Sequence, residues 1–331
     1  MQQPRHTIQA FINLNCPQAT VTPMAGDAST RVFYRLSLPD GNTRVLMDYG
    51  AAFTGMTDDV VLTAIFRDAG LPVPEILLVD ANAGCLLLED LGETTLEAAL
   101  MDPATDNRRA AGLLQQAVQL AAEVGLKGSP QLASSARLSG PALDTERLHF
   151  EMNFFLTHYV GDLLGRAEIG DGLRPQLHEL AERAATCSRQ VMCHRDFHSR
   201  NLVVLAGGGL GMVDIQDARW GPDCYDLASV LFDAYIDIDE RSNEPLIEHF
   251  LATATHIEDG AAFRERLLIV ATQRSIKALG TFGYQIAILN RSQYRSAIPR
   301  PLHRLHQLLP ECAPDLLTAL KSANLLNHPE I

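Results

Sequence analysis

Residues 193–227 read CHRDFHSRNLVVLAGGGLGMVDIQDARWGPDCYDL. The stretch opens with His194-Arg195-Asp196, places Asn201 five residues after that aspartate, crosses Gly207-Gly208-Gly209 and returns through the apolar run Leu210 to Val213 to reach Asp214. Two short apolar runs separated by glycines predict a hairpin, which would bring Asn201 and Asp214 to the same end of one ribbon. Asp196 can accept the proton of an attacking hydroxyl, while the Asn201 amide oxygen and the Asp214 carboxylate are hard ligands suited to Mg²⁺. This is the inventory that phosphoryl transfer requires, because catalysis there consists of positioning plus neutralisation of phosphate oxygens.

Outside that stretch, composition narrows the field. At 331 residues the chain is long enough for two domains. Its 47% hydrophobic and 20% charged residues are those of an ordinary globular protein. A formal net charge of −13 argues against a nucleic-acid backbone or an anionic membrane as the main partner. The six cysteines include no CxxC pair and read as reduced thiols. The segment MQQPRHTIQAFINLN has no basic stretch leading into an apolar core, and no apolar run reaches bilayer-spanning length, so a cytoplasmic protein is expected.

Upstream, Ala19 to Met24, Val32 to Leu38, Arg44 to Asp48, Ile76 to Val79 and Cys85 to Glu89 read as strands, with a helix over Asp58 to Ala69 between the third and fourth. From Leu96 onward the apolar spacing is helical, as in Arg108 to Glu123, Phe150 to Leu164 and Ala262 to Ile288. Gly125 to Leu143, rich in Ser, Pro and Gly, is expected to be a surface loop.

The pattern HxDxxxxN, hairpin, Asp resembles the catalytic set of protein kinases. In the form HRDFHSRN with VDIQDARWGPDCYDLA it resembles the aminoglycoside phosphotransferase family, and within it the bacterial kinases that phosphorylate N-acetylmuramate and N-acetylglucosamine at the anomeric hydroxyl in cell-wall recycling. The resemblance implies an α+β, protein-kinase-like bilobal fold: an N-lobe over residues 1–89 with a small antiparallel sheet, and a larger, mainly helical C-lobe over 90–331. It implies ATP and Mg²⁺ as cofactors and a small-molecule acceptor. Asp196 becomes the base or hydroxyl-orienting group, with His198 and Arg200 orienting its loop and Arg195 pairing with a nearby carboxylate, and Asn201 and Asp214 become the metal ligands. The loop containing Ser29, Thr30 and Arg31 would cover the phosphates, and the backbone of Glu89 and Leu91 would bind the adenine edge. Asp226 has two readings, a helix N-cap or a brace for the catalytic loop, and the N-cap is favoured.

One departure stands out. Kinase-like folds carry a lysine on the third strand paired with a glutamate on the following helix, but this chain has Val45-Leu46-Met47-Asp48 there and no glutamate on that helix. Losing both partners leaves no stranded charge, so the nucleotide site reads as redesigned, with Arg31 or Arg35 as substitute cations. For the acceptor, Arg274 and Lys277 lie three apart on one helical face and would either grip a carboxylate or form a solvated basic face. Trp220, with Asp223 and Asp233, would instead suit a cationic alcohol such as choline or an aminoglycoside. A nucleotide-binding module without turnover is the reading from another class.

Overall fold

The computed structural model describes residues 3–24, 31–135, 138, 142–166, 172–186 and 189–327. In chain order the elements are α1 (His6–Asn15), β1 (Thr20–Pro23), β2 (Val32–Ser37), β3 (Thr43–Asp48), α2 (Asp58–Asp68), β4 (Ile76–Asp80), β5 (Cys85–Glu89), α3 (Leu96–Met101) and α4 (Asn107–Glu123). There follow α5 (Ser129–Ala133), α6 (Thr145–Phe155), α7 (Leu173–Ala185), β6 (Gln190–Cys193), β7 (Leu202–Val204), β8 (Leu210–Met212) and β9 (Arg219–Pro222). The last are α8 (Tyr225–Leu231), α9 (Asn243–Thr253), α10 (Gly260–Ala287), α11 (Pro299–Cys312) and α12 (Pro314–Ser322). The chain divides into two compact units, Met1–Thr94 with Val203–Gln216, and Thr95–Leu202 with Asp217–Ile331.

The first unit is an antiparallel sheet of order β1-β2-β3-β5-β4. Strand alternation sorts its side chains by face. Tyr34 and Leu36 of β2, Leu46 of β3, and Cys85 and Leu87 of β5 are buried with Ile8, Phe11 and Ile12 of α1 in one apolar cluster. The α1 end is pinned by charge: the Arg5 guanidinium donates to the buried Asp48 carboxylate at 2.7 and 2.9 Å. The predicted hairpin forms as β7 and β8 and joins this sheet unit, with Val204 N–H donating to Thr94 O and Met212 N–H to Pro72 O, both at 2.8 Å. Gly211 permits that approach, since a Cβ there would lie 2.8 Å from Leu91 Cδ1.

The second unit is helical and built around α10, which packs against α6, α8 and α11. Gly283 allows close passage, because a Cβ would fall 2.5 Å from His158 O. The segment expected to be a loop from Gly125 onward is instead helical over Val124–Gly128, as one π-type turn, and over α5. Val124 and Leu132 are fully buried there, and Pro130 occupies the first turn of α5, where its missing N–H costs nothing. β6 and β9 pair antiparallel, with Met192 opposite Trp220 and Cys193 opposite Arg219. Five cysteines among the described residues, Cys16, Cys85, Cys193, Cys224 and Cys312, are buried thiols. No helix among the described residues is long and apolar enough to cross a membrane.

Candidate active site

β6 ends at Cys193 and the chain turns into His194–Asn201 without regular structure. Such a loop is held by its backbone N–H groups, which need acceptors when buried. Here the acceptors are two aspartates from far along the chain. Asp226 takes His194 N–H at 2.7 Å and Arg195 N–H at 3.0 Å. Asp233 takes Ser199 N–H at 2.6 Å with one oxygen and Tyr235 N–H at 2.7 Å with the other. Both are buried, at 5% and 2% exposure. Asp226 lies inside α8, whose N-cap is Cys224, so the favoured cap reading gives way to the loop brace. Burial raises the Asp226 pKa, against the opposing pull of His194 and the two backbone donors.

Arg195 adopts a left-handed conformation, φ +79°, that L-residues avoid. Its side chain is what fixes the turn: the guanidinium meets Asp217 at 3.1 Å and the buried Glu151 at 3.6 Å, and Glu151 also accepts from Gln273 at 2.9 Å. Arg274 donates to Arg195 O at 3.1 Å and stacks over the Tyr225 ring at 4.3 Å. Arg200 reaches Glu97 at 2.9 and 3.0 Å and covers the Tyr235 ring at 3.8 Å.

The loop presents Asp196. Its side chain is 27% exposed and faces the Lys277 ammonium at 3.5 Å. Burial alone would raise its pKa; Lys277, Arg195, His198 and Arg274 outweigh that and hold it well below the usual carboxylate range. His198 stacks edge-on against Tyr235 at 5.2 Å, its Nδ1 buried without a hydrogen-bond partner. Burial pushes that imidazole below its ordinary pKa, against the opposite pull of Asp233 and Asp196. The Asn201 amide nitrogen donates to Asp196 O at 3.0 Å, so the amide oxygen takes no part in that bond.

Of the predicted residues, the structure thus brings Arg195, Asp196, His198, Asn201, Arg274 and Lys277 together in the second unit. Asp214, Glu89, Leu91 and Arg31 belong to the first unit. Asp214 follows β8 in a left-handed conformation, φ +63°, exposed, with one oxygen accepting from Gln216 at 2.7 Å. Glu89 closes β5, its N–H bonded to Glu75 O at 2.8 Å, and Leu91 packs toward Gly211. Arg31 is ion-paired to Asp59. Ser29 and Thr30 lie outside the described residues.

Trp220 is committed to β9, where its carbonyl accepts Leu143 N–H at 2.8 Å. Asp223 is paired with Arg266 at 2.9 Å beside a cavity of about 400 Å³ that contains no residue of the loop. With Asp233 spent on backbone N–H groups and Asp223 on Arg266, the two carboxylates suspected for a cationic acceptor have structural partners. Asp226 and Asp233 were underrated by sequence reasoning; the available signal was one carboxylate inside the otherwise apolar stretch of α8.

A small antiparallel sheet unit and a helical unit bearing an HxDxxxxN loop define the kinase-like class of phosphotransferases. The chain belongs to the phosphotransferase enzyme family, which matches residues 20–265. It is similar to the N-acetylmuramate/N-acetylglucosamine kinase of Neisseria meningitidis, 30% identical over 87% of this chain and 85% of that one. It is also similar to the kinase of the same name from Pseudomonas aeruginosa, 28% identical over 86% and 82%. Among solved structures, choline kinase from Cryptosporidium parvum shares the fold with a TM-score of 0.62 at 11% identity, over 96% of this chain and 97% of that one. The protein is therefore a kinase-type phosphotransferase with a hydroxyl acceptor.

Proposed function

We propose that this phosphotransferase moves the terminal phosphoryl group of ATP to the anomeric hydroxyl of a cell-wall amino sugar, N-acetylmuramate or N-acetylglucosamine, and so serves peptidoglycan recycling in the cytoplasm. The observation that carries this reading is Asp196: a carboxylate kept ionised by surrounding cations, partly open to solvent, on a loop whose backbone is tied at both ends. The likeness to the two amino-sugar kinases supplies the acceptor class.

The acceptor hydroxyl donates to Asp196 and is thereby aimed. As its oxygen bonds to phosphorus and the bridging oxygen departs with ADP, the proton passes to Asp196. A carboxylate held so acidic is a weak base, which suits a loose transition state and an anomeric hydroxyl that is more acidic than an ordinary alcohol. Lys277 keeps Asp196 charged and brings a positive charge to the reacting oxygen, while Arg274 holds the loop from below. His198, buried against Tyr235, orients the turn.

For Mg²⁺ this reading takes Asn201, whose amide oxygen is not used when its nitrogen donates to Asp196 O, and Asp214, whose carboxylate is exposed; each is by its chemistry a hard oxygen donor of the type that ion takes alongside water and phosphate. These two would hold it, and when bound it would neutralise phosphate charge. In this reading residues 1–89 cover the nucleotide, Glu89 C=O and Leu91 N–H bind the adenine edge, and residues 90–331 carry the loop and the acceptor pocket.

The test is ³¹P NMR of the protein with Mg·ATP and N-acetylmuramate, N-acetylglucosamine, kanamycin or choline, with Asp196→Asn as control. A new anomeric phosphate signal from the sugars is expected. In Asp196→Asn turnover should fall by about 10²- to 10⁴-fold with ATP binding retained. Product from kanamycin or choline alone would overturn the acceptor; ATP binding with no product from any of the four would favour a sensing module.

A further inference from the structure

The face of the sheet turned away from α1 has its own charge pattern. Alternation places Phe33 and Arg35 of β2, with Arg31 immediately before that strand, and Val45 and Met47 of β3 on that face, since Tyr34, Leu36 and Leu46 face α1. Two arginines thus flank an apolar floor, separated by roughly 13 Å of extended strand. Each is braced by a carboxylate from a different element.

The braces differ. Arg35 is consumed by the segment after β5: Nε donates to Asp90 at 2.6 Å, Nη2 to Asp90 and to Gly92 O at 3.0 Å each, and Nη1 to Glu93. That segment is where the adenine edge is proposed to bind, so Arg35 shapes the purine end. Arg31 stands at the other end, directly after the loop proposed to cover the phosphates. Its guanidinium pairs with Asp59 in the first turn of α2 and lies 3.7 Å from Met47 Sδ. Asp59 is itself fixed by Tyr49 Oη at 2.7 Å, and the two charged side chains are 16% and 15% exposed. A strand-to-helix ion pair therefore exists on this face after all. Its cation comes from the entry to β2, over the methionine that occupies β3, and its anion is an aspartate.

We infer that Arg31, braced by Asp59, is the phosphate-contacting cation of the nucleotide site and replaces the lysine that β3 lacks. The inference rests on the ATP-dependent reading given above. A planar guanidinium matches phosphate oxygens in fork geometry, and an anchored one loses less freedom on binding than a mobile lysine. The same pair also ties α2 to the sheet, so a purely structural role is the alternative that must be excluded.

The experiment measures binding of Mg·ATP and of adenosine by calorimetry, together with Tm, in the whole protein and in Arg31→Met, Arg31→Lys and the exchange variant Arg31→Asp/Asp59→Arg. Arg31→Met is expected to lose about 10- to 100-fold in ATP affinity while keeping adenosine affinity, the range of a charged hydrogen bond. Arg31→Lys keeps the charge and the fold and loses less. The exchange variant restores the pair and hence the Tm, but carries the cation on α2 and does not recover ATP affinity. Wild-type ATP affinity in Arg31→Met, or recovery of ATP affinity together with Tm in the exchange variant, would overturn the inference. Should Arg31→Met not fold, equal loss of ATP and adenosine binding in Arg31→Lys would overturn it as well. A wild-type protein that binds no adenine nucleotide would instead remove the reading beneath it.

Discussion

Asp90 and Asp226 are both carboxylates with buried side chains that accept backbone N–H groups, one in each unit, yet their pKa values are moved in opposite directions. In the sheet unit Asp90 takes Gly92 N–H at 3.0 Å and the Arg35 guanidinium. Burial would raise its pKa, but Arg35 and Gly92 outweigh it and the net shift is downward. In the helical unit Asp226 takes two backbone N–H groups and no guanidinium, and burial wins. For Asp226 the pull of His194, two backbone donors and Arg274 does not cancel desolvation, whereas for Asp90 a cation in direct contact, with Gly92 N–H, does. The sheet unit uses charge to hold a segment at its surface; the helical unit accepts an electrostatic cost to fix the peptide groups on which Asp196 sits.

The largest effect expected from breaking this contrast is in Asp226→Ala. It strands two buried N–H groups at about 1–3 kcal/mol each. It also frees the loop, so turnover should fall by about 10²-fold, as for a 1 Å misplacement of a reacting group. Urea unfolding and steady-state kinetics read the two parts. Retained turnover in the destabilised variant would show that the tether serves the fold and not the site.

Next comes Arg35→Met, which leaves Asp90 as an uncompensated charge, its side chain only 3% exposed. A loss of about 3 kcal/mol is expected, and Asp90→Asn added to it should recover part of that loss. Additive penalties would mean that the pair contributes nothing as a pair.

A smaller effect sharpens the comparison by sign. The lowered Asp90 pKa contributes stability above its unfolded value of about 3.9, lost as pH falls through the folded value. The raised Asp226 pKa contributes stability below about 3.9, lost as pH rises through the folded value. Wild type should therefore lose stability relative to Asp90→Asn on acidification, and relative to Asp226→Asn as pH rises from about 4. Slopes of the same sign would refute the contrast. As the reference for a surface ion pair, Arg264→Ala, which frees Glu244 and Glu248, should change stability by no more than about 0.5 kcal/mol.

These contacts also mark what could be read from the sequence. HRDFHSRN is legible because its groups are chain neighbours and the hairpin signal stands beside them; the sheet strands and α10 follow from their apolar periods. The tethers are not legible in the same way. Asp226 and Asp233 act on peptide N–H groups about 30 residues away, and a backbone donor carries no residue-type signal. Of the strand-to-helix pair, the cation was legible as one of two candidates, Arg31 or Arg35, but its partner was not, because the anion is an aspartate, Asp59, in the first turn of α2 and not a glutamate. The Gly, Ser and Pro of residues 125–130 suggested a loop, yet burial of Val124 and Leu132 draws the segment into helix.

The sheet unit is discontinuous in sequence, and this has a kinetic meaning. The β7–β8 hairpin that binds Thr94 O and Pro72 O is synthesised only after all of Thr95–Leu202. During translation at roughly 5–20 residues per second, the N-terminal part of this unit waits on the order of ten seconds for the hairpin that packs on it. Its contacts with the hairpin are highly non-local, the kind that closes late. The nascent chain therefore carries a complete five-stranded sheet without its hairpin through the making of Thr95–Leu202, and that interval is where chaperone dependence of this protein would be set.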